Sequence, residues 1–197
     1  MESNQIAWLT SLAGLAGALL TQLMTGLFSY VNDRRKQQLD LQKDYRNKRT
    51  EIGENFYFMN GELMAMIKKN IAYWHTRLDY RSDAALNFLR QEMDRLDAYQ
   101  TKLHNENWKY NLIGIYFDTP YDFGEMLEDN KRSHELYLKV LDQSDIIRRT
   151  LPQERDDLYP EYQAALKRLC EHYQLIYEKM GTNMKAVKSA LVAGFEL

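Results

Sequence analysis

At 197 residues, with 27% charged side chains and a formal net charge of -2, the chain has room for one ordinary domain plus a helical extension. That charge balance excludes a body that attracts nucleic acid as a whole. A single cysteine, Cys170, excludes an intrachain disulfide and allows a reducing compartment, and three prolines with few alternating runs favour an all-α body.

The first element is the run from Ile6 to Val31, 26 residues without a charged side chain. As a helix it would cover about 39 Å, more than the roughly 30 Å hydrocarbon core of a bilayer, so it predicts a membrane-spanning helix over 1–31. The mean hydropathy of -0.60 therefore describes the rest of the chain. Around the helix, Thr10, Gly14, Gly17, Ala18, Thr21, Gln22, Thr25 and Ser29 fall on one side. Trp8, Leu9, Leu12, Leu15, Leu19, Leu20, Leu23, Leu27 and Tyr30 fall on the other. In a bilayer the leucine side suits acyl chains, and small or hydroxyl residues let helices approach closely. Gln22 in hydrocarbon needs a partner that one helix cannot supply. The stripe Thr10, Gly14, Gly17, Thr21, Gln22 and Thr25 thus predicts self-association into a ring-like homo-oligomer, with part of it lining a pore. The plainer alternative is a single-pass anchor.

A cleaved signal peptide is disfavoured, because no basic residue precedes the run and no small-x-small site follows it. Arg34, Arg35, Lys36, Lys43, Arg46, Lys48 and Arg49 follow it, against only Glu2 before it. The positive-inside rule then places the N-terminus outside and the remainder in the cytoplasm, at the inner membrane of a bacterium. Residues 32–50 form a basic juxtamembrane stalk without Gly or Pro, so the helix is expected to run on through it. Arg34, Arg35 and Lys36 are placed to touch anionic lipid headgroups, at about 1 kcal/mol each. A stalk that is merely solvated is the alternative.

Residues 51–197 predict a four- or five-helix bundle. Ile52, Phe56, Met59, Leu63, Ile67, Ile71, Trp74 and Leu78 recur at spacings of three and four, through an Asn60-Gly61 break signal. The methionines Met59, Met64 and Met66 read as core filling. Ser82 or Asp83 caps a second helix carrying Ala85, Leu89, Met93 (or Leu96), Tyr99 and Leu103. Trp108–Phe117, aromatic and β-branched, reads as an ordered connection. Asp118-Thr119-Pro120 is a start signal for a third helix, with Met126, Leu127, Leu138, Leu141 and Ile146 on its apolar side. A fourth helix from about Asp156 carries Leu158, Tyr162, Leu166, Leu169, Tyr173, Ile176 and Met180, and Gly181 is expected to end it. A short fifth helix, 184–195, closes the chain.

No phosphate loop, zinc-like Cys/His spacing, Gly-x-Ser-x-Gly or dinucleotide fingerprint is present, and no cofactor or metal is expected. Cys170 sits mid-helix with nothing in the sequence to activate it. Of four scattered histidines, His172 stands four residues after Arg168, on the same helical side. A guanidinium can hold a phosphate bidentately and an imidazole can move a proton, which is what metal-free RNA cleavage needs. The alternative for this pair is a solvated or partner-facing edge.

An apolar N-terminal helix, a basic stalk, a helical bundle and an Arg-x-x-x-His helix together resemble the small membrane accessory proteins of type VI-B CRISPR systems. Their soluble domain is a divergent relative of the HEPN bundle. HEPN ribonucleases carry Arg and then His four to six residues on, usually with a polar residue after the Arg, in a composite site across a dimer. Here three residues separate Arg168 from His172, and Leu169 follows the arginine. The resemblance implies antiviral defence: a pore-forming membrane effector working with a type VI CRISPR RNA-targeting effector. A membrane-tethered HEPN-like ribonuclease using Arg168 and His172 is the alternative, with RNA as an open partner. An inert scaffold that recruits another protein is the third reading.

Overall fold

The computed structural model describes the backbone of residues 2–77 and 81–194, with side chains at residue 17 and from residue 19 onward within those ranges. The described residues form α1 (Glu2–Arg77), α2 (Asp83–Glu106), two single-turn helices α3 (Trp108–Asn111) and α4 (Ile113–Tyr116), α5 (Phe123–Arg149) and α6 (Tyr159–Ala193). Two 3₁₀ turns, Pro152–Glu154 and Asp156–Leu158, lead into α6. No strand occurs among the described residues, as an all-α sequence requires. The chain divides into two compact units, Met1–Lys48 and Arg49–Leu197.

The expected membrane-spanning helix is overturned. Among the described residues no helix is long and apolar enough to cross a membrane. Thr21, Gln22, Thr25 and Ser29 dilute the apolarity of α1, and Asp33, Arg34, Arg35 and Lys36 follow at once. The inner-membrane location and the outside-to-cytoplasm orientation rested on that span and fall with it. The earlier part of the run, with Thr10 and Gly14, lies outside the described side chains. The helix does run on without a break through 32–50.

The second unit is built on heptads. On α6, Tyr162, Leu166, Leu169, Tyr173, Ile176, Met180, Asn183 and Val187 are buried at alternating steps of four and three, the period of a helix–helix seam. On α1 the buried residues are Ile52, Phe56, Leu63, Ile67 and Trp74, with Asn60 and Asn70 among them. Glu62 meets Tyr99 and Lys69 meets Glu92, so α1 and α2 run antiparallel. Asp97 meets His134 and Arg90 meets Asp145, so α2 and α5 do too. Across the core, Asn60 Nδ2 donates to Met180 O at 3.3 Å and Tyr110 Oη donates to Asn60 Oδ1 at 3.1 Å, so the buried amide is satisfied by two elements.

Three local expectations change. The start of α5 is capped by Asp122, whose carboxylate accepts from Glu125 N at 2.8 Å, not by Asp118. The cause is Tyr121. Its backbone N–H donates to Asn183 Oδ1, its carbonyl accepts from Asn183 Nδ2, and its ring is buried, so residues 118–121 stay out of the helix. The apolar side of α5 is also displaced: Leu127, Leu138 and Ile146 are exposed, while Ser133, Leu136, Tyr137, Val140, Ser144 and Ile147 are buried. Finally, α6 passes through Gly181 without a stop, because Met180, Asn183 and Val187 carry the seam on for two more turns. The expected fourth and fifth helices are therefore one.

Candidate functional site

The first candidate is the surface of α1 over 17–31. Leu19, Leu20, Leu23, Met24, Leu27, Phe28, Tyr30 and Val31 are between 43% and 64% exposed. Singly exposed apolar residues are ordinary, but this many in succession on one helix is a patch that calls for a partner. Leu20, Leu23, Leu27 and Tyr30 recur at steps of three, four and three, the spacing of a two-helix seam. Opposite them lie Thr21, Gln22, Thr25 and Ser29. The Thr21 hydroxyl donates to Gly17 O and the Thr25 hydroxyl to Thr21 O, each at 2.8 Å. Those hydroxyls are already satisfied inside the helix, so they do not require a polar neighbour. Arg34, Arg35 and Lys36 are exposed on the next turns.

The second candidate is the edge of α6 around Arg168 and His172. Arg168 is exposed, and no described residue pairs with it. His172 is half-buried, and its Nε2 lies 3.0 Å from the carbonyl oxygen of Asp129 on α5. A carbonyl only accepts, so Nε2 carries the proton and Nδ1 is the basic atom of the neutral ring. The Asp129 carboxylate is held in turn by Lys179 Nζ at 2.8 Å and Tyr121 Oη at 2.9 Å. Burial, reinforced by that carboxylate, pushes the Tyr121 hydroxyl well above the usual tyrosine range, so it stays protonated and serves as a donor. His172 is thus fixed by α5 while Arg168 is left free.

Other polar sites are structural. Glu92, almost fully buried, accepts from Lys69 Nζ and Arg95 Nη1, both at 2.8 Å, and ties α1 to α2. The hydrogen bond to Glu92 raises the Lys69 ammonium above its ordinary value. His104 is buried against Tyr110 and Phe123, and burial lowers its imidazole to about 4. No cluster of three or more His, Cys, Asp or Glu fit to hold a metal occurs among the described residues.

Sequence reasoning missed one pair. Cys170 Sγ on α6 lies 3.4 Å from His75 Nε2 on α1, across 95 residues of sequence. Only the antiparallel packing of α1 on α6 brings them together, and no local spacing signals it. No protein-family model, no curated protein and no solved structure matches the chain.

Proposed function

We propose that the chain is a self-assembling, non-enzymatic effector whose α1 segment 17–31 gathers copies of itself and whose helical bundle is the working body each copy carries. The observation behind this reading is the run of eight large apolar side chains left exposed between Leu19 and Val31. In water the driving force is removal of apolar surface, so the leucine side forms the seam and the Thr/Gln/Ser side stays wet. That reverses the choice that lipid would impose, where small residues make the contact. A pore is no part of this reading, since no described helix is long and apolar enough to cross a membrane. In the setting the resemblance implies, assembly serves antiviral defence, and an RNA-guided effector is the partner that brings copies together. Size-exclusion chromatography with light scattering in detergent-free buffer tests it: oligomers are expected, and monomers across the micromolar range refute it. Oligomers that appear only with anionic vesicles would assign the apolar side to a lipid surface instead.

A second reading is supported by the free Arg168 and the pinned imidazole of His172. Assembly would bring two such edges together into one composite ribonuclease site, with Arg168 holding phosphate and His172 Nδ1 moving the proton. RNA cleavage in the presence of chelator, lost in His172→Ala with the oligomer intact, is the result that favours it. Absence of cleavage by the assembled protein removes it.

A further inference from the structure

A cleft at the C-terminal end of α2 is used by none of the readings above. It lies within the second unit, has a volume of about 380 Å³ and takes its lining from α1, α2 and α3. Small-molecule sites run from roughly 300 to 1,000 Å³, so it has room for one compact ligand. Tyr99, Lys102, Leu103 and Glu106 follow one another at helical steps that place them on one face of the last two turns of α2. Asn107 then turns the chain, its side chain accepting from Tyr110 N at 3.1 Å, and Trp108 continues the lining. Met59 of α1 completes it. The lining is fixed in advance. The Tyr110 ring stacks on Phe56 at 4.9 Å, Asn111 Nδ2 donates to His104 O at 2.9 Å, and Tyr99 Oη donates to Glu62 Oε2 at 2.7 Å. Lys109 pairs with Glu51 and so ties α3 to α1.

Three groups in this cleft are open to solvent: an indole, an ammonium and a carboxylate. Trp108 keeps 58% of its surface exposed, and Lys102 and Glu106 are exposed beside it. Lys102 and Glu106 stand four residues apart, with the lysine first, which is the weaker order for a helical ion pair. They form no ion pair with each other or with any other described residue. One cation and one anion, ~6 Å apart along the helix, are therefore both open to a ligand beside an exposed aromatic ring. A ligand that answers all three has a flat face, an edge of N–H donors and a separate negative charge.

We propose that this cleft binds a guanine nucleotide through its base and its 5′-phosphate, either as free guanosine monophosphate or as the same unit at the start of an RNA. The base stacks on Trp108, a contact that any planar base can make. Glu106 chooses among the bases. A carboxylate only accepts, and it has two oxygens side by side. Guanine presents two adjacent donors on its pairing edge, N1–H and N2–H, and satisfies both oxygens. Adenine presents a lone pair at N1 beside its amino group, and the carboxylate repels it. Lys102 holds the phosphate as a compact positive charge. Tyr99 and Met59, both half-buried, supply apolar surface against the sugar and the base. No bond is made or broken; the site recognises and holds.

Isothermal titration calorimetry of the full chain with GMP, AMP and guanosine tests this. The expected result is one GMP per chain, bound on the order of 10-fold more tightly than AMP. Trp108→Ala should weaken GMP and AMP alike, on the order of 10-fold or more. Lys102→Gln should weaken GMP on the order of 10-fold and leave the weaker binding of guanosine unchanged. Glu106→Gln should remove the preference for GMP over AMP. All three side chains are exposed, so these changes leave the core intact, and the ratios between ligands report contacts that a merely structural role would not move. A 5′-phosphorylated RNA tetranucleotide that begins with G separates the two sources: tighter binding than GMP assigns the end of an RNA, equal or weaker binding the free nucleotide, and either upholds the site. Absence of saturable GMP binding up to millimolar concentration, equal affinity for GMP and AMP, or unchanged GMP affinity in Trp108→Ala overturns the proposal.

Discussion

Leu27→Asp is the sharpest single perturbation of the assembly surface. Leu27 keeps 61% of its surface exposed. Fully burying a leucine is worth ~1.5–3 kcal/mol, so covering the remainder contributes ~1–2 kcal/mol per copy. The aspartate forfeits that and adds an uncompensated carboxylate in an apolar seam, a further cost of ~2 kcal/mol or more. Counted on both sides of a two-helix contact the loss is ~6 kcal/mol, which weakens association by more than ~1,000-fold. Thr25→Asp is the matched control, since it places the same charge on the opposite side of the same helix. Sedimentation velocity at low micromolar concentration should show Leu27→Asp as a monomer and Thr25→Asp with the wild-type mass. Unchanged assembly in Leu27→Asp, or dissociation in Thr25→Asp instead, would refute a seam built from the leucine side.

Three further outcomes follow from the bundle. The imidazole of His104 titrates near 4 in the folded chain and near 6.5 when unfolded, so below pH 6.5 the unfolded state binds the extra proton. Stability should therefore fall by about 3 kcal/mol as pH drops from 6.5 to 4 and then level off; urea titrations in which His104→Leu shows the same slope would contradict this. A Cβ at Gly53 would sit 2.6 Å from Phe117 Cζ and 3.1 Å from Leu191 Cδ2, so Gly53→Ala should destabilise by ~1–3 kcal/mol despite its better helix propensity, read as a lowered Tm. A Cβ at Gly181 meets only Met64 Cε, at 3.8 Å, so Gly181→Ala should stabilise by ~0.5–1 kcal/mol; a loss of stability there would mean that α6 does not pass straight through.

The residues that announced themselves in the sequence are those whose burial is apolar and periodic. Tyr162 to Met180 on α6 and Ile52 to Trp74 on α1 could be read from spacing alone, as could Ser82 as the cap of α2. The side of α5 could not, because Ser133 and Ser144 occupy core positions. An apolar count skips serines and settles on Leu127, Leu138 and Ile146, which face solvent. Gly181 was misleading for the converse reason: a glycine is a stop signal only where the seam also ends. The connection at Trp108–Phe117 resolves into two helical turns, fixed by the Tyr110 ring stacked on Phe56 at 4.9 Å, a contact no local pattern encodes. At the functional level, the spacing that puts Arg168 near His172 was legible, whereas the carbonyl of Asp129 that sets the imidazole tautomer belongs to another helix. The long uncharged run was visible too, but what it does depends on length, hydroxyl content and the charges after Val31 taken together.

The central claim is that exposed leucines on α1 hold copies of this chain together in water. Its most direct measurement is the mass of the intact protein in detergent-free buffer, by sedimentation or mass photometry at sub-micromolar to micromolar concentration. A discrete multiple of 23.4 kDa is the predicted result. A lone 23.4 kDa species throughout that range would contradict the claim.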